Sequence, residues 1–114
     1  MSECIFCKLA KGEIPTTYVY EDATVVAFDD LNPQAPVHVL IVPREHYVNV
    51  GDTVPEALLG HLLAVATVVA ERKGIVRGGY RIIINTGADA GQTVLHLHVH
   101  VLGGVHMEEG MLPS

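Results

Sequence analysis

Between residues 96 and 102 histidines alternate with aliphatic residues: His96-Leu97-His98-Val99-His100-Val101-Leu102. Successive side chains of a β-strand point to opposite faces. The pattern therefore predicts a strand with His96, His98 and His100 in a row on one face and Leu97, Val99 and Val101 on the other. Neighbouring histidines in the row stand two strand rises apart, about 6.8 Å. Each ring brings two nitrogens that need partners, so such a row makes poor core material. A lone histidine usually ends on a solvated face. Three in alternation behind a glycine-bearing loop read better as a site.

The rest of the chain supplies the frame. Its 114 residues suit one domain, spanning 1–114, with a single core. Ile, Leu and Val dominate an apolar share of 49%, which is the composition of a folded chain rather than a disordered one. The net charge of −6 argues against a non-specific grip on nucleic acid, which needs clustered Lys and Arg. It leaves open a small phosphate ligand held by backbone amides and histidines. No apolar run reaches membrane-span length, and Met1-Ser2-Glu3-Cys4 does not have the form of a signal peptide, so a cytosolic location is expected.

The periodicities place the elements. Cys4 to Lys11 is expected to form a short helix stopped by Gly12, with Phe6 and Leu9 on its buried side. Tyr18 to Tyr20 and Thr24 to Asp29 read as strands about the turn-prone Glu21-Asp22. Asp30 to Pro36 is a loop stiffened by two prolines, and Val37 to Val42 is a strand stopped by Pro43. The long helix runs from Pro55 to Lys73, with Asp52 or Thr53 as its cap and Leu58, Leu59, Leu62, Val65, Ala66 and Val69 as its apolar stripe. His61 on this helix is assigned to the surface. Tyr80 to Asn85 is a strand, Thr86 to Gln92 a loop, and the tail from Val105 to Ser114 shows no periodicity. With one long helix, the expectation is an α+β domain: a mainly antiparallel sheet of about five strands, the long helix on one face and a short N-terminal helix.

Two chemistries suit the histidine row. A His-x-His pair on a strand can present ligands to zinc, with water as the nucleophile. Alternatively one neutral imidazole attacks phosphorus or carbonyl through its bare nitrogen, while a hydrogen bond on the other nitrogen sets the tautomer. The loop Gly87 to Thr93 favours phosphoryl chemistry, since its glycines let backbone N–H groups approach an anion. Asp30, at a strand end before the proline loop, suits a ribose contact; a plain turn aspartate is the competing account. Cys4-x-x-Cys7 has half the spacing of a zinc site, for which His46 and one histidine of the row are natural donors. Two buried thiols packing as small hydrophobes are the alternative.

Together these residues resemble the histidine triad family, and its Hint branch in particular. The signature His-φ-His-φ-His-φ-φ, with φ apolar, is met from His96 to Leu102. Cys4-Ile5-Phe6-Cys7-Lys8 with Gly12-Glu13-Ile14-Pro15, Asp30-Leu31-Asn32-Pro33-Gln34-Ala35-Pro36-Val37-His38, Asn85 with Gly91-Gln92-Thr93, and Leu102-Gly103-Gly104 resemble its other blocks in order. The resemblance implies a homodimer whose sheet continues across both subunits. It implies a purine nucleoside 5′-phosphoramidate as substrate, an AMP- or GMP-type mononucleotide joined to an amine. His98 would attack phosphorus to give a nucleotidyl-histidine that water hydrolyses. His100 would contact the phosphate and help protonate the leaving group with Thr93, and His38 would orient the imidazoles. Asp30 would bind the ribose beside Leu31. Asn85, Gly91, Gln92 and Thr93 would surround the phosphate, and Ile5, Phe6, Leu9, Ile14 and Phe28 would line the base pocket. A structural zinc would sit on Cys4, Cys7, His46 and His96. A nucleotide-binding interaction module with slow hydrolysis is the alternative function. The chain departs from the branch in having Thr93 where Ser is frequent, and in lacking a Trp in its tail.

Overall fold

The computed structural model describes residues 4–110. Two helices and five strands occur in the order α1 (Ile5–Ala10), β1 (Tyr20–Glu21), β2 (Val25–Asp29), β3 (Val37–Pro43), α2 (Glu56–Lys73), β4 (Tyr80–Ile83) and β5 (Val99–Gly103). The strands form one sheet in the order β1-β2-β3-β5-β4, with every neighbouring pair antiparallel. β3 and β4 both flank β5, and α2 carries the chain between them across the sheet. This is the expected α+β architecture. No helix among the described residues is long and apolar enough to cross a membrane.

The sheet is covered on both faces through its middle. On one side Leu62, Val65, Ala66, Val69 and Ala70 of α2 pack against Val25, Ala27, Val39, Ile41, Leu97, Val99 and Val101. On the other side Phe6 and Ala10 of α1 pack against Val26, Phe28, Leu40 and Val42. β2 and the latter part of β3 are thus unbroken apolar runs, as strands buried on both faces must be. Each fully buried Val or Leu stabilises the fold by about 1.5–3 kcal/mol.

Several element ends differ from the sequence reading. Only Tyr20–Glu21 pairs as β1; the Val19 N–H still reaches the Ala27 carbonyl at 2.8 Å, and the Tyr18 hydroxyl donates to the Leu9 carbonyl at 2.6 Å. β4 stops at Ile83, short of Asn85. The histidine strand pairs only from Val99, and it runs on through Gly103. Its earlier residues leave the ladder: the Leu97 N–H donates to the Tyr47 carbonyl at 2.6 Å. The alternation survives this departure, since Leu97 is buried beneath α2 with Val99 and Val101. Gly103 lies close against Ile75: a Cβ there would stand 2.7 Å from Ile75 Cδ1 and 3.1 Å from its Cβ, so Ile75 would have to shift. α2 starts at Glu56 with Pro55 as its N-cap and no side-chain cap bond. Neither Thr53 nor Asp52 caps it; Asp52 accepts instead from the Val48 and Thr53 amides, both at 2.9 Å. Gly74 ends α2 in the left-handed conformation, φ 72°, as expected. The last residues of the C-terminal tail lie outside the described residues.

His61 has a partner remote in sequence. Its Nε2 lies 2.6 Å from Asp22 Oδ2, which also accepts from the Tyr20 hydroxyl at 2.7 Å. The other oxygen of Asp22 accepts from the Thr24 and Val25 amides, both at 2.9 Å. Burial alone would raise the Asp22 pKa, but these hydrogen bonds outweigh it and hold the carboxyl well below the usual range. Asp22 thus ties the β1–β2 turn to the outer side of α2. Asp22→Ala is expected to cost roughly 2–3 kcal/mol, the scale of leaving several polar partners unmet, as read from the urea midpoint. The native contribution is present above the ordinary carboxylate pKa and is lost as pH falls through the depressed one. A midpoint within error of the parent's would contradict this role.

Candidate active site

The pairing registers build the floor of the site. Phe28 faces Leu40, Leu40 faces His100, and His100 faces Ile83, forming one row across β2, β3, β5 and β4. His38 stands opposite Leu102, one diagonal from His100. Ring centroids of His98 and His100 are 5.0 Å apart, and those of His38 and His100 are 5.1 Å apart. These three imidazoles open onto a cleft of about 620 Å³, within the usual range for small-molecule sites. Ile5, Phe6, Leu9, Ile14, Phe28 and Leu40 give it an apolar wall, and Asp30, Gly91 and Thr93 stand on its rim. Leu31, at the lip, is 99% exposed.

A directed chain of hydrogen bonds assigns the protons. The Gln34 backbone N–H can only donate, and it donates to His38 Nδ1 at 3.0 Å. Neutral His38 therefore carries its proton on Nε2. That nitrogen lies 2.9 Å from His100 Nδ1 and 3.5 Å from Asp30 Oδ2. With Nδ1 accepting, His100 carries its proton on Nε2, which is buried and has no hydrogen-bond partner. Burial lowers the His100 pKa to about 4, aided by the neighbouring His98 and His38 and opposed by Asp30. Burial also lowers that of His38, again against Asp30. Both rings are thus held neutral at pH 7.

His98 has the complementary arrangement. Its Nδ1 lies 2.7 Å from the His96 carbonyl oxygen, which can only accept. A proton is therefore on Nδ1, and in the neutral ring Nε2 carries the lone pair. His98 is 7% exposed as a residue, and its ring sits edge-on to Phe6 at 5.0 Å. One face of the sheet thus presents a bare nitrogen on His98 beside an N–H donor on His100.

His96 points away from this pair. It is fully buried, and its Nε2 donates to the Pro43 carbonyl at 2.9 Å. Its free Nδ1 lies 3.2 Å from Cys4 Sγ, 3.4 Å from Cys7 Sγ and 3.2 Å from His46 Nδ1. Cys7 Sγ is 3.2 Å from the same His46 nitrogen. Metal–sulfur bonds of about 2.3 Å and metal–nitrogen bonds of about 2.0 Å in a tetrahedron separate donors by roughly 3.3–3.8 Å. The four donors, slightly contracted from that spacing, could hold a metal ion. The hydrogen bond on the far nitrogen of His96 is the kind that orients a metal-bound imidazole. Burial and the neighbouring Cys4 raise the Cys7 thiol pKa; a cation among the donors would reverse this by favouring thiolate. Asp30, His38 and His100 also converge. There His38 Nε2 is occupied by its proton, so the group is a proton-sharing pair beside a carboxylate.

Some expected contacts fall elsewhere. Gln92 is buried with its amide turned inward: Oε1 accepts from the Gly87 N–H at 2.9 Å, and Nε2 donates to the Val48 and Val94 carbonyls at 2.7 and 3.1 Å. It shapes the loop and does not face the cleft. Gly91, φ 85°, closes the single 3₁₀ turn Ala88–Ala90 and stands on the cleft rim. Asn85 lines a neighbouring depression with Gln34, Arg81 and Met107, joined to the cleft through His38 and His100. The Gln34 amide escaped the sequence reading because backbone donors leave no mark in residue identity.

Known proteins match this arrangement over nearly its whole length. The HIT domain family model matches residues 11–107. The chain is 46% identical to the purine nucleoside phosphoramidase of Escherichia coli, over 90% of this chain and 87% of that one. It is 49% identical to a 14 kDa zinc-binding protein of Zea mays, over 93% of this chain and 85% of that one. The structure of a HIT family hydrolase from Clostridium thermocellum superposes with a TM-score of 0.91 at 50% identity, covering 98% of this chain and 99% of that one. The chain belongs to the HIT domain family and stands with its hydrolases.

Proposed function

We propose that the protein hydrolyses purine nucleoside 5′-phosphoramidates through a nucleotidyl-histidine on His98. The observation that carries this reading is the tautomer of His98, with Nδ1–H held by the His96 carbonyl and Nε2 bare toward the cleft. The name and likeness of the Escherichia coli relative support the substrate class. In this reading the base lies against Ile5, Phe6, Leu9, Ile14 and Phe28, and Asp30 accepts from the ribose hydroxyls beside Leu31. The Nε2 lone pair of His98 forms a bond to the α-phosphorus as the P–N bond breaks. The His100 Nε2–H hydrogen-bonds the phosphoryl group and steadies the departing nitrogen, which takes its proton from solvent through the Thr93 hydroxyl beside it and leaves as the amine. His38 holds His100 in the donating tautomer. Water then attacks phosphorus and gives up a proton to solvent, the P–N bond breaks with its electron pair returning to His98 Nε2, and the mononucleotide is released. Gly91 and Asn85 complete the surroundings of the phosphate, and Gln92 acts through the shape of the loop.

Zinc on Cys4, Cys7, His46 and His96 belongs to the same proposal, as a structural crosslink that supplies no reacting group. The proposal also includes a homodimer that continues the sheet, supported by the free edge of β4 and by the exposed Ile82 on it.

His98→Ala is expected to reduce turnover of an adenosine phosphoramidate by about three orders of magnitude or more, as loss of a nucleophile does. AMP binding should change only a few-fold. Intact-protein mass spectrometry after a brief exposure to substrate should show a nucleotidyl adduct on the parent and none on the variant; turnover retained in His98→Ala would overturn the reading. The His100 ring is expected to titrate near pH 4 rather than near 6.5, as followed by ¹⁵N NMR. Because unfolded His100 takes its proton near pH 6.5, the fold should lose stability as pH falls from there toward 4. A midpoint near 6.5 would contradict the neutral donor. Elemental analysis of freshly purified protein should find about one zinc per chain, the count for one closed four-donor site; its absence would refute the metal assignment.

A further inference from the structure

The metal-ligand cluster and the cleft share a residue and a helix. The His96 ring is one of the four donors, and its backbone carbonyl holds the His98 Nδ1–H at 2.7 Å. Fixing the ring of His96 therefore fixes the acceptor that selects the tautomer of His98. The second connection runs through α1. Cys4 is its N-cap and Cys7 lies inside it, while Ile5, Phe6 and Leu9 form one wall of the cleft. Between the two cysteines stands Phe6, whose ring is edge-on to His96 at 6.0 Å and to His98 at 5.0 Å.

α1 has only six residues. A helix that short is not stable by itself. Apart from its apolar contacts, three ties hold it. Tyr18 donates to the Leu9 carbonyl at 2.6 Å, Arg44 donates to the Ala10 carbonyl at 2.9 Å, and the two sulfurs meet His46 and His96. A cation at the four donors would turn the third of these into coordinate bonds. It would then clamp the wall of the base pocket to the segment that carries the nucleophile.

We infer that the metal site is a positioning device for the cleft, so that metal and mononucleotide bind with positive coupling, transmitted by Phe6 and the His96 carbonyl. This rests on the proposed reading of the cleft as a nucleotide site. Phe6 and His96 act as positioning residues through His98. Coupling between two binding equilibria is reciprocal, so each ligand must tighten the other by the same factor. A metal that only stabilised the fold would do so whether or not Phe6 were present.

The test uses AMP and Co²⁺, whose visible absorption reports tetrahedral thiolate ligation. AMP affinity is measured by calorimetry on metal-loaded and chelator-stripped protein, and Co²⁺ affinity by competition with a chromophoric chelator with and without saturating AMP. The expected result is a tenfold or greater loss of AMP affinity on stripping. AMP should raise Co²⁺ affinity by the same factor and shift the cobalt bands. If the stripped protein unfolds, the factor from the chelator competition also contains folding linkage, and its comparison with Phe6→Ala decides. Phe6→Ala keeps all four donors, and there the factor should fall toward one. AMP binding equally to loaded and stripped protein would overturn the coupling and leave the nucleotide site standing. The same factor in Phe6→Ala as in the parent would reduce the metal to a stabiliser of the fold. Failure of the loaded parent to bind AMP at all would overturn the nucleotide reading, and the coupling with it.

Discussion

Imidazoles can be packed side by side only if each nitrogen has one assigned role, because an ambiguous ring in a dry place leaves a donor facing a donor. Here the assignment comes from groups that cannot change role. The Gln34 amide can only donate, and the Pro43 and His96 carbonyls can only accept. From these three backbone groups follow the protons on His38, His100, His96 and His98. Burial does the rest: it lowers the pKa of His96 and of His100 to about 4, so neither ring takes up a second proton near neutral pH. The rest of the site depends on this frame. A charged His100 would lose its acceptor nitrogen and break with His38, and a flipped His98 would lose its lone pair to the carbonyl.

The histidine row divides because its first member leaves the ladder. β5 begins to pair at Val99, opposite Ile41. Before that point the Leu97 amide goes to Tyr47, and the His96 ring reaches the Pro43 carbonyl. Proline ends β3 there, and its carbonyl serves the imidazole. His96 is thereby turned toward the sulfurs of Cys4 and Cys7, and two rings remain for the cleft. One continuous strand would have offered three equivalent imidazoles, a geometry closer to a metal triad.

Side-chain pattern carried much of this in the sequence. Alternation from His96 to Val101 and the stripe on α2 each depend on one periodicity, and both faces are filled as the pattern requires. The same alternation gave no sign of where pairing starts, which depends on a backbone bond to Tyr47 remote in sequence. Asp22 with His61 escaped for a related reason: a turn carboxylate and a helix imidazole are each ordinary until the fold brings them to 2.6 Å. Gln92 reads as a polar ligand beside two glycines. Its amide instead satisfies three backbone groups of its own surroundings, a demand that residue type does not reveal. Cys4 and Cys7 were legible as half a site, and the remaining half needed the sheet to bring His46 and His96 beside them.

Charge bears on what the cleft could hold in the proposed reading. Asp29 and Asp30 line it and among the described residues no lining residue is Lys or Arg, but Asp29 is paired with Lys73 at 2.8 Å, so Asp30 is the lining carboxylate without a cationic partner. The chain as a whole carries a net charge of −6. A phosphoryl group would therefore be held by N–H and O–H donors without an opposing cation. That suffices for the single negative charge of a phosphoramidate diester-like centre, whose other oxygens are bonded to ribose and phosphorus or replaced by nitrogen. A chain of phosphates would bring several charges into the field of the Asp30 carboxylate, where unit charges a few ångströms apart repel by about 4 kcal/mol at protein-surface dielectric. In the proposed reaction the mononucleotide product gains a second charge as it forms, so the same field would oppose its retention. Neutral histidines thus serve two ends in the proposed reaction: they supply a nucleophile with a free lone pair, and they keep the site from holding its own product.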